Sequence, residues 1–141
     1  MKIENLNKYI MASLCFTLLL SGCEISGEQG PDNEESATWG LCRYWWRADY
    51  LDYDDATIRQ QFIFGVDGTG SEIISRSKLG QTTSQEYFFK WYWASDTYRT
   101  ICLEYGDNDV VFMDRVFIAD NVFTCFMTGV DMTFYGQRPS Y

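Results

Sequence analysis

The chain has 141 residues, of which 20 are acidic, 11 basic and none histidine. A formal charge of −9 opposes nucleic-acid binding, which needs clustered Lys and Arg. The missing imidazole removes Ser-His-Asp and Cys-His nucleophile systems and the commonest transition-metal ligand.

Residues 1–22 have the three parts of a bacterial secretory leader. Lys2 and Lys8 give a basic start, residues 9–20 are almost unbrokenly apolar, and Ser21 and Gly22 are small. The apolar run is too short to cross a bilayer, which takes about 20 such residues. Leu20-Ser21-Gly22-Cys23 has the form of a lipobox, and it predicts cleavage before Cys23 and acylation of the Cys23 thiol. Plain secretory cleavage, with Cys23 left unmodified, is the other outcome these residues allow. Each methylene buried in a bilayer adds about 0.8 kcal/mol, so two or three acyl chains anchor a protein durably. Loss of Lys2, Lys8 and Glu4 with the leader makes the mature chain more acidic still. That sign disfavours flat adsorption on anionic lipid and leaves the acyl chains as the attachment.

Residues 23–37 are expected to form the lipidated Cys and a flexible acidic tether. Glu24, Glu28, Asp32, Glu34 and Glu35 stand among Gly, Ser, Pro and Asn, with Ile25 the one large apolar side chain. Such a composition buries too little surface to fold, and as a coil it spans on the order of 20 Å. It is a solvated spacer on one reading. On the other it resembles the surface-export tags that follow the lipidated Cys in some Gram-negative lipoproteins.

Residues 38–141 form one domain, rich in aromatics (18% of the chain) and poor in Pro. Alternating or β-rich runs separated by Gly, Asp and Asn predict about eight strands. They cover residues 39–46, 57–66, 71–76, 87–93, 98–105, 110–118, 122–127 and 132–135. Asp67-Gly68-Thr69-Gly70 joins the second and third, an Asp-Gly between two such runs being a strong hairpin signal. Ser95-Asp96, Gly106-Asp107-Asn108, Ala119-Asp120-Asn121 and Gly129-Val130-Asp131 mark the later turns. The sixth and seventh strands carry apolar groups on both faces, which leaves their register open. Short sequential turns imply an up-and-down antiparallel meander, and eight strands can close into a small barrel without exposed edges. Residues 47–56 and 78–84 are expected to be the long loops. Both fall at the end of the barrel opposite the tether, forming a rim that points away from the membrane.

Trp39, Phe62-Ile63-Phe64 with Asp67-Gly68-Thr69-Gly70, Phe89-Lys90-Trp91 and Ile101-Cys102-Leu103-Glu104-Tyr105, taken with the lipobox, resemble the small lipocalin-like lipoproteins of Gram-negative bacteria. The likeness covers the lipobox and most of residues 38–141. Ala37-Thr38 replaces the Gly-x of the Gly-x-Trp found in true lipocalins. The resemblance implies an all-β, lipocalin-like barrel held in the bacterial cell envelope, at the outer membrane, with no assigned activity.

Cys42, Cys102 and Cys125 remain after the leader and the anchor are set aside; their spacing fits no zinc pattern, and buried free thiols are the favoured reading. Tyr50, Tyr53, Asp54 and Asp55 concentrate aromatics and carboxylates on the first loop. Clustered oxygens suit Ca²⁺ and Tyr faces suit sugar rings, but the order of an EF-hand and its Glu are missing, and a solvated acidic loop is favoured over a metal site. Adjacent carboxylates are also poor evidence for a glycosidase, and no other catalytic constellation or cofactor motif is found. Phe62, Phe64, Phe89, Trp91, Trp93, Ile101 and Leu103 are the expected inward set. They either fill the barrel or line a pocket for a small apolar ligand; filling is favoured, since each ring buries about 150–250 Å². The expected function is a non-enzymatic, membrane-anchored binding or interaction role, through the long-loop rim, toward an unknown protein or glycan. The alternative is carriage or sensing of a small apolar ligand within the barrel.

Overall fold

The computed structural model describes residues 31–139. The leader, Cys23 and the first part of the tether lie outside the described residues. One helix, α1 (Glu34–Cys42), precedes eight strands: β1 (Trp45–Leu51), β2 (Thr57–Phe64), β3 (Thr69–Lys78), β4 (Gln81–Trp93), β5 (Ile101–Gly106), β6 (Asp109–Ala119), β7 (Val122–Met127) and β8 (Val130–Gln137). Each strand pairs antiparallel with the next, and β8 returns to β1, closing an up-and-down barrel. Among the described residues no helix is long and apolar enough to cross a membrane.

The expected meander is present, with three corrections to its parts. Residues 39–46 were expected to open the barrel as a strand, and residues 34–37 to belong to the flexible tether. Instead Glu34–Cys42 is helical. Asn33 caps it by accepting from the Ser36 amide at 2.9 Å, and Glu34 and Glu35 lie in the first turn, where a carboxylate is favoured by the helix dipole. Ala37 and Leu41, one turn apart, are buried while Trp39 stays 62% exposed. The helix thus buries one apolar stripe, and that stripe closes one end of the barrel.

The second correction concerns the long-loop rim. Residues 78–84 are not a loop: Lys78 pairs with Gln81, and the β3–β4 hairpin closes on Leu79 and Gly80 alone. Both have positive φ, 50° and 77°, as a type I′ turn requires. Residues 47–51 belong to β1, which shortens the first connection to residues 52–56. The longest connection, residues 94–100, is at the opposite end, beside α1. The third correction extends β4 back to Gln81. Its first half has β3 on one side, but pairing with β5 begins only at Lys90, so β4 runs past β5 as a free edge while β3 stays paired with β2 as far as Ser77. Hydroxyl pairs run across it, Ser75 with Ser84 at 2.9 Å and Ser77 with Thr82 at 2.8 Å.

The open register of the sixth strand has a structural cause. Pairing of β6 with β7 slips between Asp114 and Phe117, with Arg115 at φ 52°. A bulge of this kind swaps the faces of a strand. Met113 lies inward before the slip and Val116 after it, and both are buried.

The inward side chains divide the barrel into two halves. Nearest α1, Trp46, Phe62, Phe64, Phe89, Trp91, Phe123 and Phe134 form one cluster with Leu41, Ile101, Leu103 and Met113. Ring centroids are 5.5 Å apart for Trp46–Phe123, Phe123–Phe134, Phe62–Phe134 and Phe64–Phe89. These spacings fall in the range where aromatic edges and faces attract. The two buried indoles and the half-buried one each have an acceptor: Trp46 Nε1 donates to the Leu41 carbonyl at 2.7 Å, Trp91 Nε1 to the Gly65 carbonyl at 2.9 Å and Trp93 Nε1 to Thr38 Oγ1 at 3.1 Å. Two of these bonds tie α1 to the barrel. Gly70 lies beneath the Phe89 ring, and a Cβ there would run into that ring and the Ile63 carbonyl.

Candidate functional site

The sequence-predicted residues separate into two groups that do not meet. Phe62, Phe64, Phe89 and Trp91 are buried in the ring cluster, with Trp93 half-buried against it. Phe64–Trp91 and Trp91–Trp93 contacts at 5.7 and 6.0 Å complete the stack. These rings fill the half of the barrel nearest α1.

Tyr50, Tyr53, Asp54 and Asp55 lie at the other end, on or next to the β1–β2 turn. Tyr53 is 95% exposed, and Asp55 takes a left-handed conformation, φ 62°, at the corner. Asp54 is bound back to the barrel. One of its oxygens accepts from Lys78 Nζ at 2.9 Å and from the Arg76 guanidinium, and the other from the Ala56 amide at 3.3 Å. The Lys78 bond, followed by that from Arg76, holds the Asp54 carboxyl down to about 2. Asp52 faces Arg76 at 3.7 Å, and Asp49 is held by Arg47 and Arg59 at 3.2 and 2.8 Å. Asp49, Asp52 and Asp54 are therefore matched by cations from β1, β2 and β3, and Asp55 makes no ion pair among the described residues. Among the described residues, no group of three His, Cys, Asp or Glu converges as a metal site would require.

Cys42, Cys102 and Cys125 are free thiols. Burial, then the charge of Asp67, pushes Cys42 up to about 11. Burial, then Asp114 and Asp131, pushes Cys125 up to about 12. Both stay protonated at neutral pH, which suppresses nucleophilic chemistry.

The space inside the barrel is at the mouth, the end away from α1. Six strands surround a cup of about 280 Å³, open to solvent. Gln60 of β2, Glu72 and Ile74 of β3, Tyr87 of β4, Tyr105 of β5, Asp109 and Val111 of β6 and Met127 of β7 line it. Strand register explains the placement: Phe62 pairs with Glu72 and Glu72 with Tyr87, so Glu72 is on the inward face beside the ring layer. Gln60 Nε2 donates to Glu72 Oε1 and Tyr105 Oη to Glu72 Oε2, each at 2.6 Å. Tyr50 Oη lies 3.4 Å from Gln60 Oε1. The mouth thus carries a polar chain that ends on one carboxylate. Burial, then the bond to Glu72, then the charges of Glu72 and Asp109, raise the Tyr105 hydroxyl. Burial, then Glu72 and Asp52, raise that of Tyr50. Both phenols therefore remain donors over the whole physiological range.

No family model matches the chain, and no match to it is found among curated proteins or solved structures.

Two other hollows differ in kind. A broad, open groove of about 730 Å³ crosses β2 to β5 and includes the exposed Phe88; its Lys90 and Glu104 sit opposite each other across β4 and β5. A cleft of about 220 Å³ beside α1 is lined by Trp39, Arg43, Trp93 and Tyr98. Arg43 is stacked there 4.5 Å from the Trp39 ring and 4.9 Å from Tyr44, and donates to the Asp120 carbonyl at 2.6 Å. These contacts hold α1 against the barrel end.

Glu72, Gln60, Tyr87 and Asp109 were not singled out from the sequence. The signal was present in the hairpin: counting outward from its turn sets Glu72 opposite Phe62, inside the barrel. Tyr105 shares a face with Ile101 and Leu103, which places it inward as well.

Proposed function

We propose that this chain is a lipid-anchored, non-enzymatic binding protein of the bacterial envelope, and that the barrel mouth is its working surface. One observation carries the binding part: the interior is filled with rings next to α1 and open only at the far end. The lipobox at Cys23 and the acidic residues after it support the anchor. The helix at the start of the described chain caps the closed end, so an anchor at Cys23 would turn that end toward the membrane and the mouth away from it. The long-loop rim expected from the sequence is replaced here by the cup that the tight turns surround.

Two measurements test this reading. The substitution Cys23→Ala is expected to move the protein from the membrane fraction to the soluble envelope fraction, and continued sedimentation with membranes would refute the anchor. Titration with a fatty acid is expected to leave tryptophan emission unchanged, because Trp46 and Trp91 are enclosed by other rings. A saturable blue shift would instead favour an apolar ligand carried inside the barrel.

A further inference from the structure

We propose that the mouth of the barrel binds a small organic ammonium ion, with Glu72 as the counter-charge and the tyrosines of the cup as its walls. The inference rests on the mouth being the working surface and names the chemistry of its ligand.

Among the described residues Glu72 is the one buried acid, 8% exposed. It is also the acid whose setting most calls for a cation, since buried charges are normally paired. The six ion pairs among the described residues engage Asp49, Asp52, Asp54 and Asp131, all better exposed, and none engages Glu72. The basic groups nearest along β3, Arg76 and Lys78, are held at the rim by Asp52 and Asp54. Asp109 adds a second negative charge to the cup wall, and the lining contains no Lys or Arg.

Two neutral donors do not discharge a carboxylate. Its two oxygens offer about four acceptor positions, and Gln60 and Tyr105 use one on each oxygen. The bonds fix the carboxylate and leave acceptor capacity free. Tyr87 and Tyr105 present rings, whose faces attract ammonium groups. Ile74, Val111 and Met127 supply an apolar wall for the carbon part of the ligand. The volume is just below the ~300–1,000 Å³ of common small-molecule sites, which selects a compact ligand. A carboxylate or phosphate compound would face Glu72 and Asp109 without a compensating cation, and a neutral compound would leave Glu72 unmatched.

The test uses the full-length protein and three probes of one shape: phenylethylammonium, phenylethanol and phenylacetate. Affinity is read by calorimetry and position by amide NMR shifts. Phenylethylammonium is expected to bind saturably, moving the amides of Glu72, Tyr87, Tyr105 and Val111. It should bind at least roughly ten-fold more tightly than phenylethanol, the scale of one charge-assisted hydrogen bond, and phenylacetate should not bind. Glu72→Gln should weaken the ammonium by a similar factor. Asp109→Asn, at an exposed position that leaves the core intact, should weaken it by a few-fold and serves as the variant if Glu72→Gln does not fold. Equal binding of the alcohol at the same amides would overturn the ammonium assignment and leave the mouth as the working surface. So would an ammonium affinity that neither variant changes. If none of the three probes moves a mouth amide, both readings fall together.

Discussion

The two halves of this barrel are made from the same strands and solve opposite problems. Four strands show it within a few residues. In β2, Phe62 and Phe64 are packed among rings while Gln60, one inward position earlier, belongs to a hydrogen-bonded chain. In β3, Gly70 makes room for Phe89 while Glu72 accepts two hydrogen bonds. In β4 the change runs from Phe89 to Tyr87, and in β5 from Leu103 to Tyr105. Next to α1 the interior is dry, close-packed and complete. At the mouth it is more polar and open to solvent. A period of two carries both halves on one face, so a small change of composition along that face turns a core into a recess.

The contrast predicts a steep drop in sensitivity along each strand. Phe62→Ala removes a ring that touches Phe64, Phe89 and Phe134, and should cost about 3–5 kcal/mol in chemical denaturation. Glu72→Gln, at the cross-strand partner of the same residue, preserves shape and removes a buried charge; it should shift stability by less than ~1 kcal/mol. Equal effects at the two positions would erase the distinction between the halves. Gly70→Ala, at the boundary, should cost about 1–3 kcal/mol through overpacking against Phe89, read as a lowered denaturation midpoint. Asn33→Ala tests whether the closure by α1 is part of the folded unit. Loss of the cap should cost about 1 kcal/mol, in a single transition with the barrel rather than as separate fraying of the helix seen by circular dichroism.

At the mouth the expected effects are smaller. Leu79 is 94% exposed and holds a left-handed φ of 50°, so Leu79→Asn should stabilise the protein by roughly 0.5–1 kcal/mol, Asn-Gly being a preferred pair for this turn. Asp54 supplies a pH test. Its carboxyl is held below the usual range, down to about 2, first by Lys78 and then by Arg76. Its contribution is therefore complete above the ordinary carboxylate range, near ~4, and disappears as the pH falls toward 2. Solvent screens this exposed network, so the effect should be slight. Melting curves between pH 5 and 2 should fall a little more steeply for the natural protein than for Asp54→Asn.

Most of the strands were legible because period and turn chemistry agree. Asp67-Gly68 does join β2 to β3, and Phe89, Trp91 and Trp93 do share the inward face. α1 was hidden by its own aromatics: Trp39 and the run that follows suit a strand, and the competing evidence, Asn33 before two glutamates with Ala37 and Leu41 four apart, is short. Residues 78–84 looked like a loop because β4 runs past β5 there, where neither of its faces is buried and Ser and Thr suffice. The β6 bulge defeats any fixed period. In the candidate site, Tyr50 alone of the predicted rim residues touches the mouth network, through Gln60. Glu72 escaped notice because a single acid in a strand becomes informative only once pairing shows which way it faces.

The cap formed by α1 has a kinetic meaning. Leu41 is fully enclosed and two indoles bind the helix to the barrel wall, so the helix plugs that end and the cup opens at the other. A ligand held in the cup as proposed would arrive and depart by the mouth, so its residence time would be set by the turns around that opening.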